Sequence, residues 1–273
     1  MQSLKLLKLP KRVTFEFTNL CNRQCAGCPR HLMDYPLGNM TPSLLSSIVK
    51  QLPSRTVAVA FFRGESLLHP QFNEMLRILG KFKTVQLASN LDYVTPSKQH
   101  AIMDVCTFFS YSLHEPLKPQ TSRHVGFLSD LKQAGVETQV SILDTLIEDN
   151  KEEFTRDWIK IVDRVRVYRT HSTHGFGNMN HLIVNTTCCK PFEEMVVLWD
   201  GRVALCNHDW NLSFPLGDLN EKNVKQVWMG AYYDGVRDLH NLGLRRAVPT
   251  CEFCSFESNH VYGELIKVKN IGG

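Results

Sequence analysis

Six short runs rich in valine, phenylalanine and threonine recur between residues 12 and 170, separated by stretches with apolar residues at helical spacing. The runs are RVTFEFT (12–18), TVAVAFF (56–62), TVQLAS (84–89), TFFSYSL (107–113), VETQVSIL (136–143) and RVRVYRT (164–170). Between them lie SLLSSIVKQL, PQFNEMLRILGKF, PSKQHAIMDV, SRHVGFLSDLKQAG and KEEFTRDWIKIV. Strands separated by helices pair in parallel, and their crossovers are right-handed. The chain is thereby restricted to a doubly wound sheet or part of a (β/α) barrel. No GxGxxG or GxxxxGK[ST] follows any run, so the nucleotide signatures of a wound sheet are missing. Polar residues instead gather where the runs end, as they do at a barrel rim. Thr41-Pro42 predicts a capped helix start, and KQAG a helix ending on glycine.

Beyond residue 180 the texture changes. EEMVVLWDGRVALCNHDW predicts a hairpin turning at Asp200-Gly201, followed by two short helices and a cysteine-bearing loop. We expect a barrel over residues 1–184 and a small second module over 185–273. A net charge of +4 with no dense basic stripe argues against nucleic acid as a partner. No apolar run is long enough to span a membrane, and the start of the chain has no signal-peptide pattern. A cytoplasmic location follows, where disulfides are rare. Nine cysteines in such a compartment point to metal or cluster ligation. Cys106, in an apolar run, reads as a core thiol.

Three of the cysteines crowd behind the first strand-like run in TNLCNRQCAGCPR: Cys21, Cys25 and Cys28. Zinc or a fully ligated [4Fe–4S] cluster takes four protein ligands. Three thiolates on a cubane leave one iron open. The spacing C-x3-C-x2-C in this position resembles the radical S-adenosylmethionine (SAM) family. That resemblance implies a partial (β/α)6 TIM-like barrel, a SAM-binding [4Fe–4S] cluster and a 5′-deoxyadenosyl radical that abstracts hydrogen from substrate. Gly27 stands where the family usually has an aromatic residue.

The same resemblance assigns further residues. FFRGESLLHP looks like the family's Gly-Gly-Glu segment, so Gly64 and Glu65 would receive the SAM ammonium, with Arg63 replacing the first glycine. LASNLD puts Ser89 and Asn90 beside the cofactor, and SYSLHEP offers Ser112 for a ribose hydroxyl, with His114 reading as a bystander. Arg169, in RVYRTHSTHG, would point to the barrel mouth and orient a substrate hydroxyl; arginine is a poor base. Alternation would put Arg164, Arg166 and Tyr168 on the other face. His171 and His174 are candidates for proton transfer.

Cys188 or Cys189, then Gly201, Cys206, Cys251 and Cys254 resemble the auxiliary-cluster module of the SPASM/twitch subfamilies. No cysteine follows Cys254, which implies the shorter twitch form with one closed [4Fe–4S] cluster. Cys188 is preferred because a C-x-x-P step then precedes the hairpin. A zinc ribbon is the structural alternative. A closed cluster beside a substrate radical can accept an electron, so the resemblance implies dehydrogenation of a polyol, sugar or aminocyclitol. The small substrate is favoured because the first strand starts at residue 12, and no leader-binding domain is expected ahead of it. The alternatives are a peptide-modifying maturase and a non-catalytic iron–sulfur or zinc scaffold. Epimerisation would need a thiol donor, either the spare cysteine of the 188/189 pair or Cys106. A flavodoxin- or ferredoxin-type reductant would feed the first cluster.

Overall fold

In the computed structural model, which describes residues 6–25, 28–169, 187–252, 254 and 264–267, each strand-like run forms a strand. The order is β1 (Arg12–Phe15), α1 (Pro42–Lys50), β2 (Val57–Val59), α2 (Phe72–Leu79), β3 (Thr84–Ser89), α3 (Pro96–Val105), β4 (Phe108–Ser112), α4 (Val125–Gln133), β5 (Glu137–Leu143), α5 (Lys151–Trp158) and β6 (Arg164–Tyr168). The local signals act as expected. Thr41 caps α1 by accepting from the Leu44 amide at 3.2 Å, with Pro42 in the first turn. Gly135, at φ +85°, carries the chain out of α4. Helix α2 buries Phe72, Met75, Leu76 and Leu79, one stripe at helical spacing.

The second part contributes α6 (Lys190–Glu193), β7 (Glu194–Val197), β8 (Arg202–Ala204), β9 (Gly217–Asp218), α7 (Val224–Trp228), α8 (Ala231–Asn241) and β10 (Glu264–Lys267). The hairpin turns at Asp200-Gly201, with Gly201 at φ +93°. Strands β1 to β6 pair in parallel, each with the next in sequence. Strand β7 then adds in parallel to the free edge of β1, and β10 adds antiparallel to β6. The result is one ten-stranded sheet, ordered β10-β6-β5-β4-β3-β2-β1-β7-β8-β9. The sheet therefore contains strands from both sides of the expected boundary.

The helices pack apolar side chains on the outside of the barrel, among them Val13, Phe15, Ile48, Leu76, Leu128 and Trp158. The inner face is polar. Arg12 donates to Gln86 at 2.6 Å, Gln139 to Ser110 at 3.0 Å, and Ser110 to Ser141 at 3.2 Å. In register, Gln139, Ser141 and Leu143 stand beside Arg164, Arg166 and Tyr168. The guanidinium of Arg164 lies 4.1 Å from the Phe108 ring centre. The alternation of β6 thus holds, but its phase is the reverse of the sequence reading. Arg164, Arg166 and Tyr168 share the inner face, because neighbours in parallel register point the same way.

Candidate active site

The first cysteine loop leaves the barrel just beyond β1, at the C-terminal ends of the strands. Cys21, Cys25 and Cys28 are half-buried and line one cavity of about 980 Å³. The loop is pinned to its neighbours at several points. The Glu65 amide donates to the Leu20 carbonyl at 2.8 Å. A Cβ on Gly64 would come within 2.3 Å of the Thr18 carbonyl and 2.6 Å of the Leu20 carbonyl, so only glycine fits there. At the far side Asp92 takes both Arg23 Nε (2.6 Å) and Arg23 Nη2 (2.7 Å), and also Asn22 Nδ2 (2.7 Å). Arg23 holds the Asp92 carboxyl below the usual carboxylate range. Burial pushes the Cys25 and Cys28 thiols up, and the neighbouring cysteines add to the rise.

Glu65 is buried, 4% exposed. Its Oε1 accepts from the Leu67 amide and from Ser89 Oγ, both at 2.9 Å, and its Oε2 from the Asn90 amide at 2.9 Å. Burial raises its pKa, and these three donors oppose the rise. Asn90 Nδ2 reaches Asn22 Oδ1 at 3.0 Å, which joins the carboxylate's surroundings to the cysteine loop. Gly64, Glu65, Ser89, Asn90 and Ser112 all line the same cavity as the three cysteines. His114, read as a bystander, has Nδ1 3.2 Å from Cys25 Sγ.

Arg63 has a structural task the sequence did not reveal. It is 2% exposed and makes a two-pronged ion pair with Glu16, which is 0% exposed. Its Nη1 donates to the Trp210 carbonyl at 2.8 Å, and its guanidinium lies 4.3 Å from the Tyr35 ring centre. Glu16 also accepts from the Trp199 amide at 3.2 Å. This buried pair ties β1 and the loop after β2 to the hairpin module. Trp210 itself lines the cavity, 5.6 Å from Phe62 between ring centres. Ser141, Thr145 and Tyr168 add polar groups to the lining. Arg169 is exposed and stands outside that lining. His171, His174 and Gly27 fall outside the described residues.

The second cysteine set converges as well. Cys188, Cys206, Cys251 and Cys254 are buried, 5–8% exposed, and surround a second, small cavity. Cys189 is half-buried at the start of α6 and takes no part in that lining, whereas Cys188 does. Burial pushes the Cys188 thiol up to about 11 and that of Cys251 up to about 12. The thiols of Cys188, Cys206 and Cys251, so buried, stay neutral unless a metal takes up the thiolate charge. His240 is pulled down to about 4 by burial and by Arg245, and its Nε2 lies 3.7 Å from Cys251 Sγ. His208 Nδ1 lies 3.5 Å from Cys254 Sγ, and its amide 3.4 Å from Cys206 Sγ. Among the described residues no three His, Cys, Asp or Glu side chains converge as the ligands of a single ion do.

Comparison with known proteins agrees with this geometry. Residues 188–255 match the SPASM model, described as an iron–sulfur cluster-binding domain. The S-adenosyl-L-methionine-dependent 2-deoxy-scyllo-inosamine dehydrogenase of Niallia circulans is 21% identical over 263 residues, 91% of this chain and 94% of that one. The crystal structure of BtrN in complex with AdoMet and 2-DOIA superposes with a TM-score of 0.68 at 20% identity, covering 93% of this chain and 94% of the other. SuiB of Streptococcus suis superposes with a TM-score of 0.70 at 12% identity, covering 85% of this chain and 69% of its own. The resemblance to radical SAM enzymes and the expected barrel are borne out by these matches. No helix among the described residues is long and apolar enough to cross a membrane.

Proposed function

We propose that this chain, with the fold of the radical SAM enzymes and a SPASM-type iron–sulfur module, is an oxidoreductase that dehydrogenates a secondary alcohol of a small polyol, sugar or aminocyclitol. The observation that carries the proposal is the convergence of two separate cysteine sets, three on the large cavity and four around a closed one. The dehydrogenase relative, aligned along nearly the whole chain, supports the substrate class. With both clusters and SAM bound, the site would gain one-electron chemistry for hydrogen removal and an acceptor for the electron left behind.

The chain's own residues then have definable tasks. Cys21, Cys25 and Cys28 hold the first cluster and leave one iron for SAM. Among the described residues Glu65 Oε2 accepts a single bond, so it keeps acceptor capacity for the SAM ammonium. Ser89 and Asn90 fix that carboxylate, and Ser112 sits at the end of β4 for a ribose hydroxyl. The cavity volume lies at the top of the usual range for ligand sites, about 300–1,000 Å³. It therefore accommodates SAM together with a second small molecule. Phe61, Phe62, Trp210 and Leu143 wall it against water. Tyr168 and Ser141, rather than Arg169, are the polar groups of β5 and β6 on that wall, and we assign the substrate hydroxyl to them. Cys188, Cys206, Cys251 and Cys254 hold the auxiliary cluster, and a flavodoxin- or ferredoxin-type protein supplies the first electron.

The test is anaerobic turnover of the reconstituted chain with SAM and a reductant across a panel of polyols, aminocyclitols and short peptides. Release of 5′-deoxyadenosine together with a carbonyl product from a polyol or aminocyclitol is expected. Release only with peptides would replace the substrate class, and none with any of them, on a chain holding both clusters, would remove the enzymatic reading.

A further inference from the structure

The auxiliary cavity carries a charge pattern that its cysteines do not require. Lys190 and Arg245 both line it, at 8% and 1% exposure. They approach from opposite ligand segments. Lys190 follows Cys188 by two positions, and Arg245 Nη2 donates to the Cys254 carbonyl at 2.9 Å. No Asp or Glu belongs to that lining among the described residues. The nearby Asp209 carboxylate is turned to the amides of Leu205 (3.3 Å) and Ser213 (2.8 Å). Glu194 Oε2 lies 3.0 Å from Lys190 Nζ, on the strand that follows α6. Two buried cations thus stand in the same wall as the four cysteines.

We propose that Lys190 and Arg245 are positioning residues that raise the electron affinity of the centre held by Cys188, Cys206, Cys251 and Cys254. The inference rests on the reading that these cysteines hold an iron–sulfur cluster. A thiolate-bound cluster is an anion, and reduction makes it more negative. Fixed positive charge at short range in a poorly solvated site stabilises the reduced form more than the oxidised one, which raises the potential. Glu194, beside Lys190, acts in the opposite sense. The pair thus favours the auxiliary centre as the end point of electron flow from substrate.

The experiment is a redox titration followed by electron paramagnetic resonance on the reconstituted full chain and on Lys190→Met, Arg245→Met and Glu194→Gln. Iron is counted in each sample. A Cys21→Ala/Cys25→Ala/Cys28→Ala variant identifies which signal belongs to the auxiliary centre. We expect Lys190→Met and Arg245→Met to lower its midpoint potential and Glu194→Gln to raise it. The first cluster's midpoint should stay in place. A merely structural role would lower iron content without these opposite shifts. Lys190→Gln and Arg245→Lys carry the same test if a methionine variant fails to hold iron; Lys190→Gln should lower the potential, and Arg245→Lys should keep it near wild type. Unmoved potentials in chains with full iron overturn the proposal and leave the cluster reading intact. Zinc, or no second iron signal, in the wild-type chain overturns both.

Discussion

Among the described residues Glu65 spends three of its acceptor positions on the fold, on Leu67, Ser89 and Asn90, and has one oxygen with capacity to spare. Glu65→Gln removes the charge and turns an amide donor toward groups that already donate. A hydrogen bond to a charged group contributes about 1.5–3 kcal/mol. Equilibrium binding should therefore show SAM affinity falling about 10- to 100-fold. The upward shift of Glu65 also fixes a pH trend. The folded chain takes up this proton at higher pH than the unfolded chain does. Falling pH would thus remove the proposed partner of the SAM ammonium while favouring the folded state. SAM binding should weaken on acidification before the fold does, and a binding series set beside an unfolding series checks it. Asp92 has the opposite sign, because Arg23 holds its carboxyl down. Its contribution is complete above the unfolded carboxylate value of about 3.9 and is lost as pH falls through the lower folded value. Asp92→Asn should loosen the cysteine loop by about 1–2 kcal/mol, and a chelator should then strip iron from the first cluster faster than from wild type. Cys21, Cys25, Cys28 and Glu65 can be proposed from the sequence because each belongs to a short contiguous pattern. The Arg23–Asp92 clamp spans 69 positions, and nothing local in either segment announces the other.

Between elements, the informative residue is Arg63. Read in sequence, it departs from a glycine pattern; in the fold it is the strut joining β1, the loop after β2 and the hairpin module. Removing one partner of a buried pair strands the other, at a cost of about 3–5 kcal/mol. Denaturant unfolding should show that loss for Arg63→Met, and the double variant Arg63→Met/Glu16→Met should recover most of it. A double variant as unstable as the sum of the singles would mean that the contact to Trp210, rather than the charge pair, holds the strut. The phase of β6 was misread for a related reason. Alternation says which residues share a face, but only pairing with Ser141 and Leu143 says which face is inside. Cys188 and Cys189 show the same limit: adjacent thiols are indistinguishable by spacing, and only in the fold does one of them, Cys188, line the small cavity.

For the molecule as a whole, the expected boundary near residue 184 is better tested as a question of stability than of sequence. Strand β7 covers the edge of β1 along Arg12–Phe15, and β10 covers β6 along Arg164–Val167. Side chains of the module, including Met195, Val197, Val203, Trp228 and Tyr233, belong to the same apolar core as the barrel's Val13, Phe15 and Ile48. A fragment ending at residue 184 would expose both strand edges and the apolar face that those side chains cover. Unpaired parallel edges with an uncovered apolar face aggregate. We therefore expect residues 1–184 expressed alone to be insoluble, or to lack cooperative unfolding by circular dichroism. Size-exclusion chromatography decides the matter. A soluble, monomeric fragment with a sharp thermal transition would show that the barrel folds without the module, and that the shared sheet is a contact between two independent units.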